Sequence, residues 1–430
     1  MANLKNINVK DVFSAKTTFL SLQHLLAMYA GAIVVPLIIS SSLNFTTQQT
    51  LYLVSADIVI SGIATFLQLY RGKFIGMGLP VVMACSFTAI GPMVQVGGQY
   101  GLGTMFGSVL VAGLVILLLA PIFAKLSRLF PPLVTGTIVT LIGATLIPVT
   151  INNLAGGEGS ADYGNMDNLI LGLMTFLIIL LLYRFTKGFL QSISILIGLV
   201  AGMVIAIFMG KMDMQPILEA SWVQLPVPFA IESPSFHPAA ILSLTVVGII
   251  SMIEVTGINY ALAGMYDKDI DEADLRRSYF SVGIGYLLAG IFNTSPQTAF
   301  SQNVGVVQMS GEKRKTIFIN LIILMLLCGL IPKIGAIATS VPSAVLGGAM
   351  IFLFGNVLSY GISVLGAQDL ADNRNQLIIG AAITIGLGVA IAPAAFAQLP
   401  EWISWLTSSG IVAGGVTVVL LNAFFHGVKK

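Results

Sequence analysis

The sequence predicts an all-α polytopic membrane protein with fourteen transmembrane segments, arranged as two inverted repeats of seven. Three observations lead there. Of the 430 residues, 56% are hydrophobic and only 9% are charged, against roughly 25% charged in soluble domains. Apolar runs of about 20 residues recur along the chain, each long enough to cross a hydrocarbon core of roughly 30 Å. Charge placement and a faint internal repeat then give those runs an orientation and a grouping.

The runs begin near residues 17, 51, 78, 101, 130, 167, 189, 238, 276, 296, 315, 341, 375 and 402. Met1 to Lys16 is polar and basic, and the apolar stretch after it is longer than a signal peptide's core, so it reads as a first span that stays attached. The third and tenth runs are short, polar and interrupted by Gly and Pro, which marks them as half-helices. With the N-terminus cytoplasmic, Lys5, Lys10, Lys16, Arg71, Lys73, Lys125, Arg128, Arg184 and Lys187 fall inside. So do Lys268, Arg276, Arg277, Lys313, Arg314, Lys315, Arg374, Lys429 and Lys430, leaving only Lys211 and Lys333 of the 20 cations outside. That bias is the positive-inside rule, and removing either weak span would spoil it. Both termini are therefore expected in the cytoplasm.

The repeat shows in two places. Pro131-x-x-Val134-x-Gly136 opens the fifth span and Pro342-x-x-Val345-x-Gly347 opens the twelfth, 211 positions later. Between the weak spans, Pro80, Ser86 and Met93 correspond to Pro296, Gln302 and Met309 at an offset of 216. Seven spans per half is an odd number, so the halves lie in opposite orientations. Interrupted segments at matching places in inverted repeats point to a secondary transporter's binding site.

Other functions find little support. The net charge of +2 comes without a basic run or face, so no nucleic-acid partner is expected. Cys85 and Cys328 lie in apolar segments and read as small hydrophobes. His24, His237 and His426 are too scattered to hold a metal, and no nucleophile–base pair is apparent, so neither an enzyme nor a bound cofactor is expected.

Of 18 acidic residues, only Asp57 and Glu254 lie well within spans. A carboxylate at bilayer depth costs at least ~2.5 kcal/mol, which makes each a functional candidate. Glu254 lies mid-span in Ser251-Met252-Ile253-Glu254-Val255-Thr256-Gly257, and Ser251, Gly257 and Ala261 share its helical face, leaving room for a ligand or a neighbouring helix. It is read as a proton-exchanging binding residue, the alternative being a protonated Glu bonded to another helix. Asp57, one turn into the second span beside Ser55 and Ser61, reads as structural glue in preference to a coupling residue.

The tenth span, Pro296-Gln297-Thr298-Ala299-Phe300-Ser301-Gln302-Asn303-Val304-Gly305 and onward to Gly311, carries more amides and hydroxyls than a lipid-facing helix tolerates. A Gln side chain offers one acceptor and two donor hydrogens, matching the C=O and N–H edge of an oxopurine or a pyrimidine. A half-helix starting here would also aim free N–H groups at a ligand carbonyl. The alternative is polar packing between helices. His24, in Leu22-Gln23-His24-Leu25, reads as a residue that positions the site by a hydrogen bond.

Taken together, the chain resembles the nucleobase–ascorbate transporter family over essentially its whole length, and within it the bacterial xanthine and uric acid permeases. Gln302-Asn303-Val304-Gly305 followed by Ser310-Gly311 resembles that family's signature, and Leu22-Gln23-His24 through Met28-Tyr29-Ala30-Gly31 and Glu254-Val255-Thr256-Gly257 match as well. The resemblance implies a core domain of spans 1–4 and 8–11 (residues 1–126 and 237–338). It implies a gate domain of spans 5–7 and 12–14 (residues 127–236 and 339–430), through which relatives form homodimers. It implies that Glu254, Gln302, Phe87, Ser86 and Ser301 bind substrate, while His24, Asn303, Gly305 and Asp57 shape the site or serve coupling. The chain departs from some purine relatives at Ile258 and Val282, where they carry Asp, and this bears on the relay around Glu254.

The expected function is import of xanthine and/or uric acid with a proton across the cell membrane, of bacterial inner-membrane type given the short loops. Na⁺ is left open as the coupling ion. Uracil is the alternative substrate, and Gln302 argues against it, since the resembling uracil carriers have Glu there. An anion exchanger or channel on a related fold is the alternative of another class. It predicts a basic residue facing the half-helices, and no such cation lies in the spans.

Overall fold

The computed structural model describes residues 8–126, 131–300, 302–310, 312–396, 398–400, 405–407 and 409–427, apart from the side chains of residues 30, 126, 302, 308–310 and 405. The first half contains α1 (Val9–Val12), α2 (Ala15–Ala32), α3 (Val34–Ser42), α4 (Thr47–Leu69), strand β1 (Met83–Cys85), α5 (Ile90–Tyr100) and α6 (Leu102–Leu126). There follow α7 (Pro132–Thr145), α8 (Ile147–Leu154), α9 (Met166–Phe185), α10 (Phe189–Ser192), α11 (Ser194–Phe208) and α12 (Gln215–Glu219). The second half holds α13 (Pro238–Met265), α14 (Glu272–Ile291), strand β2 (Gln297–Ala299), α15 (Gln302–Ser310), α16 (Lys315–Leu330) and α17 (Pro332–Thr339). It ends with α18 (Ser343–Gly366), α19 (Asn373–Ile391) and α20 (Gly410–His426).

Proline and short polar side chains set these boundaries. Pro132 and Pro238 occupy the first helical position of α7 and α13, where a missing N–H costs nothing. Thr46 and Gln49 form a reciprocal capping box at the start of α4. Pro36 lies four residues after Ala32 and cannot donate to it. The α2–α3 break follows, and the Cys85 thiol donates to the carbonyl of Ala32 at 3.4 Å. Pro332 breaks α16 from α17 with a bend of 74°.

Among the described residues, eight helical stretches are long and apolar enough to cross a membrane: 15–42, 47–69, 102–125, 132–154, 166–185, 238–265, 343–366 and 373–391. The bent pair of α16 and α17 makes a ninth, and α11 and α20 are shorter apolar helices. Helix α14 is less apolar because its first turns carry Glu272, Asp274, Arg276 and Arg277. It packs between α4, α6 and α13, and it buries Ser278, Tyr279, Ser281 and Tyr286 among them. The last helix begins at Gly410, later than the 402 expected from the sequence.

The third and tenth stretches differ from a plain half-helix. Each enters through a proline and runs as a three-residue strand before its short helix, and the two strands pair antiparallel, Met83 with Ala299, Ala84 with Thr298 and Cys85 with Gln297. The amides of Ser86 and Phe300 extend the pairing to the carbonyls of Pro296 and Val82. Backbone groups that would be orphaned at bilayer depth are thus satisfied between the two halves.

Packing repeats under exchange of the halves. Helix α6 packs on α14 as α16 packs on α4, α9 packs on α18 as α19 packs on α7, and α11 packs on α9 as α20 packs on α19. Helix α7 packs against its own counterpart α18. Two sets result: α2, α4, α6, α13, α14 and α16 surround the strand pair, while α7, α9, α11, α18, α19 and α20 pack mainly with one another.

Candidate functional site

A cavity of about 480 Å³ lies where the two sets meet. On one side α7 supplies Thr135 and Val139, and α18 supplies Val357, Tyr360 and Val364. On the other, Cys85 and Phe87 follow from β1, Thr298, Ala299 and Phe300 from β2, and Ile253, Glu254, Gly257, Ile258 and Tyr260 from α13. Most of this lining is apolar or aromatic, with a few convergent polar groups, as suits a small-molecule site.

Glu254 is the one acidic side chain among the described lining residues of the cavity. Its two carboxylate oxygens accept from separate hydroxyls, Oε1 from Thr88 Oγ1 at 2.7 Å and Oε2 from Thr298 Oγ1 at 2.9 Å. One donor comes from each repeat. Gly257 opens onto the cavity with no atom within 4 Å of where a Cβ would stand. Ser251, expected on the same face, instead hydrogen-bonds Tyr286 of α14 at 2.7 Å.

Asp57 belongs to a separate, completely enclosed group. Its Oδ1 accepts from the Ser295 amide at 2.8 Å, and its Oδ2 from Ser295 Oγ at 3.0 Å. Gln297 Nε2 lies 3.4 Å from Oδ1 and donates to the Ser295 carbonyl at 2.9 Å, while Gln297 Oε1 accepts from Ser61 at 2.6 Å. Asp57 thus ties α4 to the extended entry to β2. Among the described residues, no cation pairs with Glu254 or Asp57.

His24 Nδ1 and Asn303 Oδ1 are 2.8 Å apart, joining α2 to the first turn of α15, and the His24 ring lies 5.0 Å from that of Phe318. Neither residue lines the cavity, and Asn303 Nδ2 is buried without a partner among the described residues. Phe87 does line it, with its ring centroid 6.2 Å from Phe300 and 5.3 Å from Phe354. The Phe87 and Phe300 rings are tilted by 45° to each other. Ser86 is fully buried, contributes its amide to the strand pair and lies off the cavity lining. Gly305 sits in α15 with no described atom within 4 Å of where a Cβ would stand. Gln302 heads α15, but its side chain and the whole of Ser301 lie outside the described residues.

Sequence reasoning passed over Thr88, Thr298, Phe300, Thr135 and Tyr360. Thr298 and Phe300 stood within the polar run already singled out, and the two-residue alternation of a strand would have separated Gln297 from Thr298. Thr135 and Tyr360 left no local signal, because only tertiary packing brings α7 and α18 to the site.

Glu254, set in an apolar cavity between two inverted strand–helix breaks, places the protein in the class of membrane transporters. Comparison with known proteins narrows the class. Residues 15–395 match a family model described as the permease family. The chain belongs to this family, the nucleobase–ascorbate transporters, and is a transporter and not an enzyme. It is 48% identical over 415 residues to a xanthine permease of Bacillus subtilis, covering 96% of this chain and 95% of that protein. It is 47% identical over 407 residues to a uric acid permease of the same strain, covering 95% of each. Among solved structures, the transmembrane domain of a cyanobacterial bicarbonate transporter aligns with a TM-score of 0.66 at 18% identity, over 90% of this chain and 98% of that one. SLC26A9 aligns with a TM-score of 0.63 at 13% identity, over 98% of this chain and 67% of that one. These two likenesses concern the fold, an arrangement of two inverted seven-segment repeats.

Proposed function

We propose that this protein imports an oxidised purine base, xanthine or urate, together with a proton. The observation that carries the reading is Glu254, held by one hydroxyl from each repeat at the wall of an apolar cavity. The names of the relatives that share nearly its whole length, xanthine permease and uric acid permease, supply the substrate class. A purine N–H donates to the Glu254 carboxylate, the ring face lies against Phe87 and Phe300, and Gln302 at the head of α15 pairs with the base edge. No Lys or Arg stands among the described lining residues, which argues against an anion exchanger.

In this reading the set around the strand pair is the core and carries the base past the gate set built on α7 and α18. The apolar lining between the sets favours sliding of one past the other. A proton on Glu254 neutralises the carboxylate for the crossing. One charge moved inward gains about 2.3 kcal/mol per 100 mV, and one pH unit adds about 1.4 kcal/mol, so either supports roughly tenfold accumulation or more. We place the protein in a bacterial inner membrane with both termini cytoplasmic, and as a homodimer through the gate helices.

Uptake of radiolabelled xanthine tests the reading in cells lacking their own purine permeases, with and without a protonophore, against unlabelled urate, guanine and uracil. Uptake that collapses with the protonophore, is blocked by urate and ignores uracil supports it. Uptake blocked by uracil, or accumulation by Glu254→Gln equal to the parent, overturns it.

A further inference from the structure

The segment from 212 to 237, which joins α11 to α13, crosses from one helix set to the other. It is fastened along its length to the ends of membrane helices. The amide of Gln224 donates to the carbonyl of Leu330 at the end of α16, and that of Phe229 to Ile291 at the end of α14. Tyr52, near the start of α4, donates to the carbonyl of Val227 at 2.7 Å. Asn293 Oδ1 accepts from the amides of Ile231 and Glu232, and the Ser235 amide donates to Gly103 at the start of α6. Lys333, in the first turn of α17, donates to the carbonyls of Ile217 and Leu218. All these anchor points are helix termini on one side of the bundle, so the segment runs along the level at which helices leave the hydrocarbon.

Its outward face is unusual for a loop. Trp222, Val223, Leu225 and Val227 are 72%, 70%, 67% and 56% exposed, while the alternating Gln224 and Pro226 turn inward. From Val223 to Val227 this is the two-residue period of an extended chain with one apolar face, about 13 Å long at roughly 3.3 Å per residue, and Trp222 adds its exposed ring at the end of that stripe. The Lys333 ammonium lies 5.1 Å from the Trp222 ring. A tryptophan with a neighbouring lysine at the mouth of membrane helices is the composition of a bilayer–water interface anchor, and a contiguous exposed apolar patch marks a surface that is covered in use.

We propose that this strap is an interfacial belt, with its apolar face seated among the headgroups and upper acyl chains of the bilayer. It rests on the core-side helices at six places, so it moves with them. Lys211 is tied to Asp162 and Asn168 on the other set, and the short stretch 212–214 between the two anchorages takes up the displacement. The occupant is lipid, because the stripe lies at helix-terminus level and carries no charge of its own from Trp222 to Ala230.

The test uses the full-length protein in phosphatidylcholine vesicles. The chain has three tryptophans, so Trp402→Phe with Trp405→Phe leaves Trp222 as the reporter. Bromine carried near the headgroup should quench Trp222 more strongly than bromine near the chain end, and aqueous iodide should quench it weakly. A nitroxide on Leu225→Cys in a Cys328→Ala background repeats the measurement without touching the tryptophans, and oxygen should relax it more than an aqueous nickel chelate. Free access of iodide with no bromine quenching overturns the proposal. Protection from iodide without bromine quenching also overturns it, since a protein surface and not lipid then covers the stripe.

Discussion

Gln297 and Thr298 are neighbours on β2 and serve opposite carboxylates, Gln297 reaching Asp57 on α4 and Thr298 reaching Glu254 on α13. A strand turns successive side chains to opposite faces, so two residues suffice to place one acid in a sealed structural pocket and the other on the cavity wall. The two acids therefore call for different tests.

Thr298→Val and Thr88→Val each remove a hydrogen bond to Glu254 while keeping the shape of the side chain. A hydrogen bond to a charged group contributes about 1.5–3 kcal/mol, so each variant should raise the KM for the base about tenfold or more. Thr298→Ser should restore most of the loss. Concentration-dependent uptake reads both, and an unchanged KM in the valine variants would show that the hydroxyls do not tune the site.

Asp57→Ala should lower thermal stability, because it strands the Ser295 amide and hydroxyl. An unsatisfied buried group costs about 1–3 kcal/mol. Asp57→Asn keeps an acceptor and should recover part of the loss. Melting of the purified protein in detergent measures this. If uptake is abolished while melting is unchanged, Asp57 acts in coupling and not as glue.

Gly31→Ala should disturb the site from behind. A Cβ at Gly31 would stand 2.5 Å from Cζ of Phe300, so the ring must move toward the cavity. Overpacking of this kind costs about 1–3 kcal/mol. Weaker uptake is expected from the single variant, and Phe300→Leu in the same chain should relieve it. Failure of that pair to behave differently from the sum of its parts would separate Gly31 from Phe300.

On the charged side of the bundle, Asp274 is buried among Arg71, Lys268 and Arg277. Burial alone would push its carboxyl up, but the hydrogen bond from Arg277 and the charges of Lys268 and Arg71 outweigh it and hold it below the ordinary 3.8. A carboxyl lowered by folding stabilises the fold fully above its unfolded value, and that contribution is lost as the pH falls through the lowered one. Asp274→Asn should cost about 3–5 kcal/mol, as removing one partner of a buried ion pair does. Melting followed from neutral to acid pH should bring the two proteins together at the acid end, and a constant gap would refute the assignment.

Much of the fold was legible because lipid imposes simple rules. Apolar runs, the one-sided distribution of Lys and Arg, and the breaks at Pro80 and Pro296 survive as one-dimensional patterns. Glu254 was legible because a carboxylate in a span needs a reason. The strand pair was not, because three residues are too few for periodicity to register, and the tenth stretch read as a helix that begins too early. The Thr88 and Thr298 hydroxyls were not legible either, since their importance lies in a distance to a residue 166 and 44 positions away. Phe300 escaped notice because what marks it is its contact with Gly31, on α2.

The pairing of β1 with β2 also has a consequence for biosynthesis. Until the ribosome has delivered residue 300 of 430, the carbonyl of Val82 and the amide of Ser86, which flank β1, have no partner strand. At bilayer depth each such group costs several kcal/mol. The first half therefore cannot settle as an independent membrane body. It must wait at the translocon, or under a chaperone's protection, until its mirror half arrives, and a chain truncated before Gln297 should be cleared as a misassembled product even though its hydrophobic helices are intact.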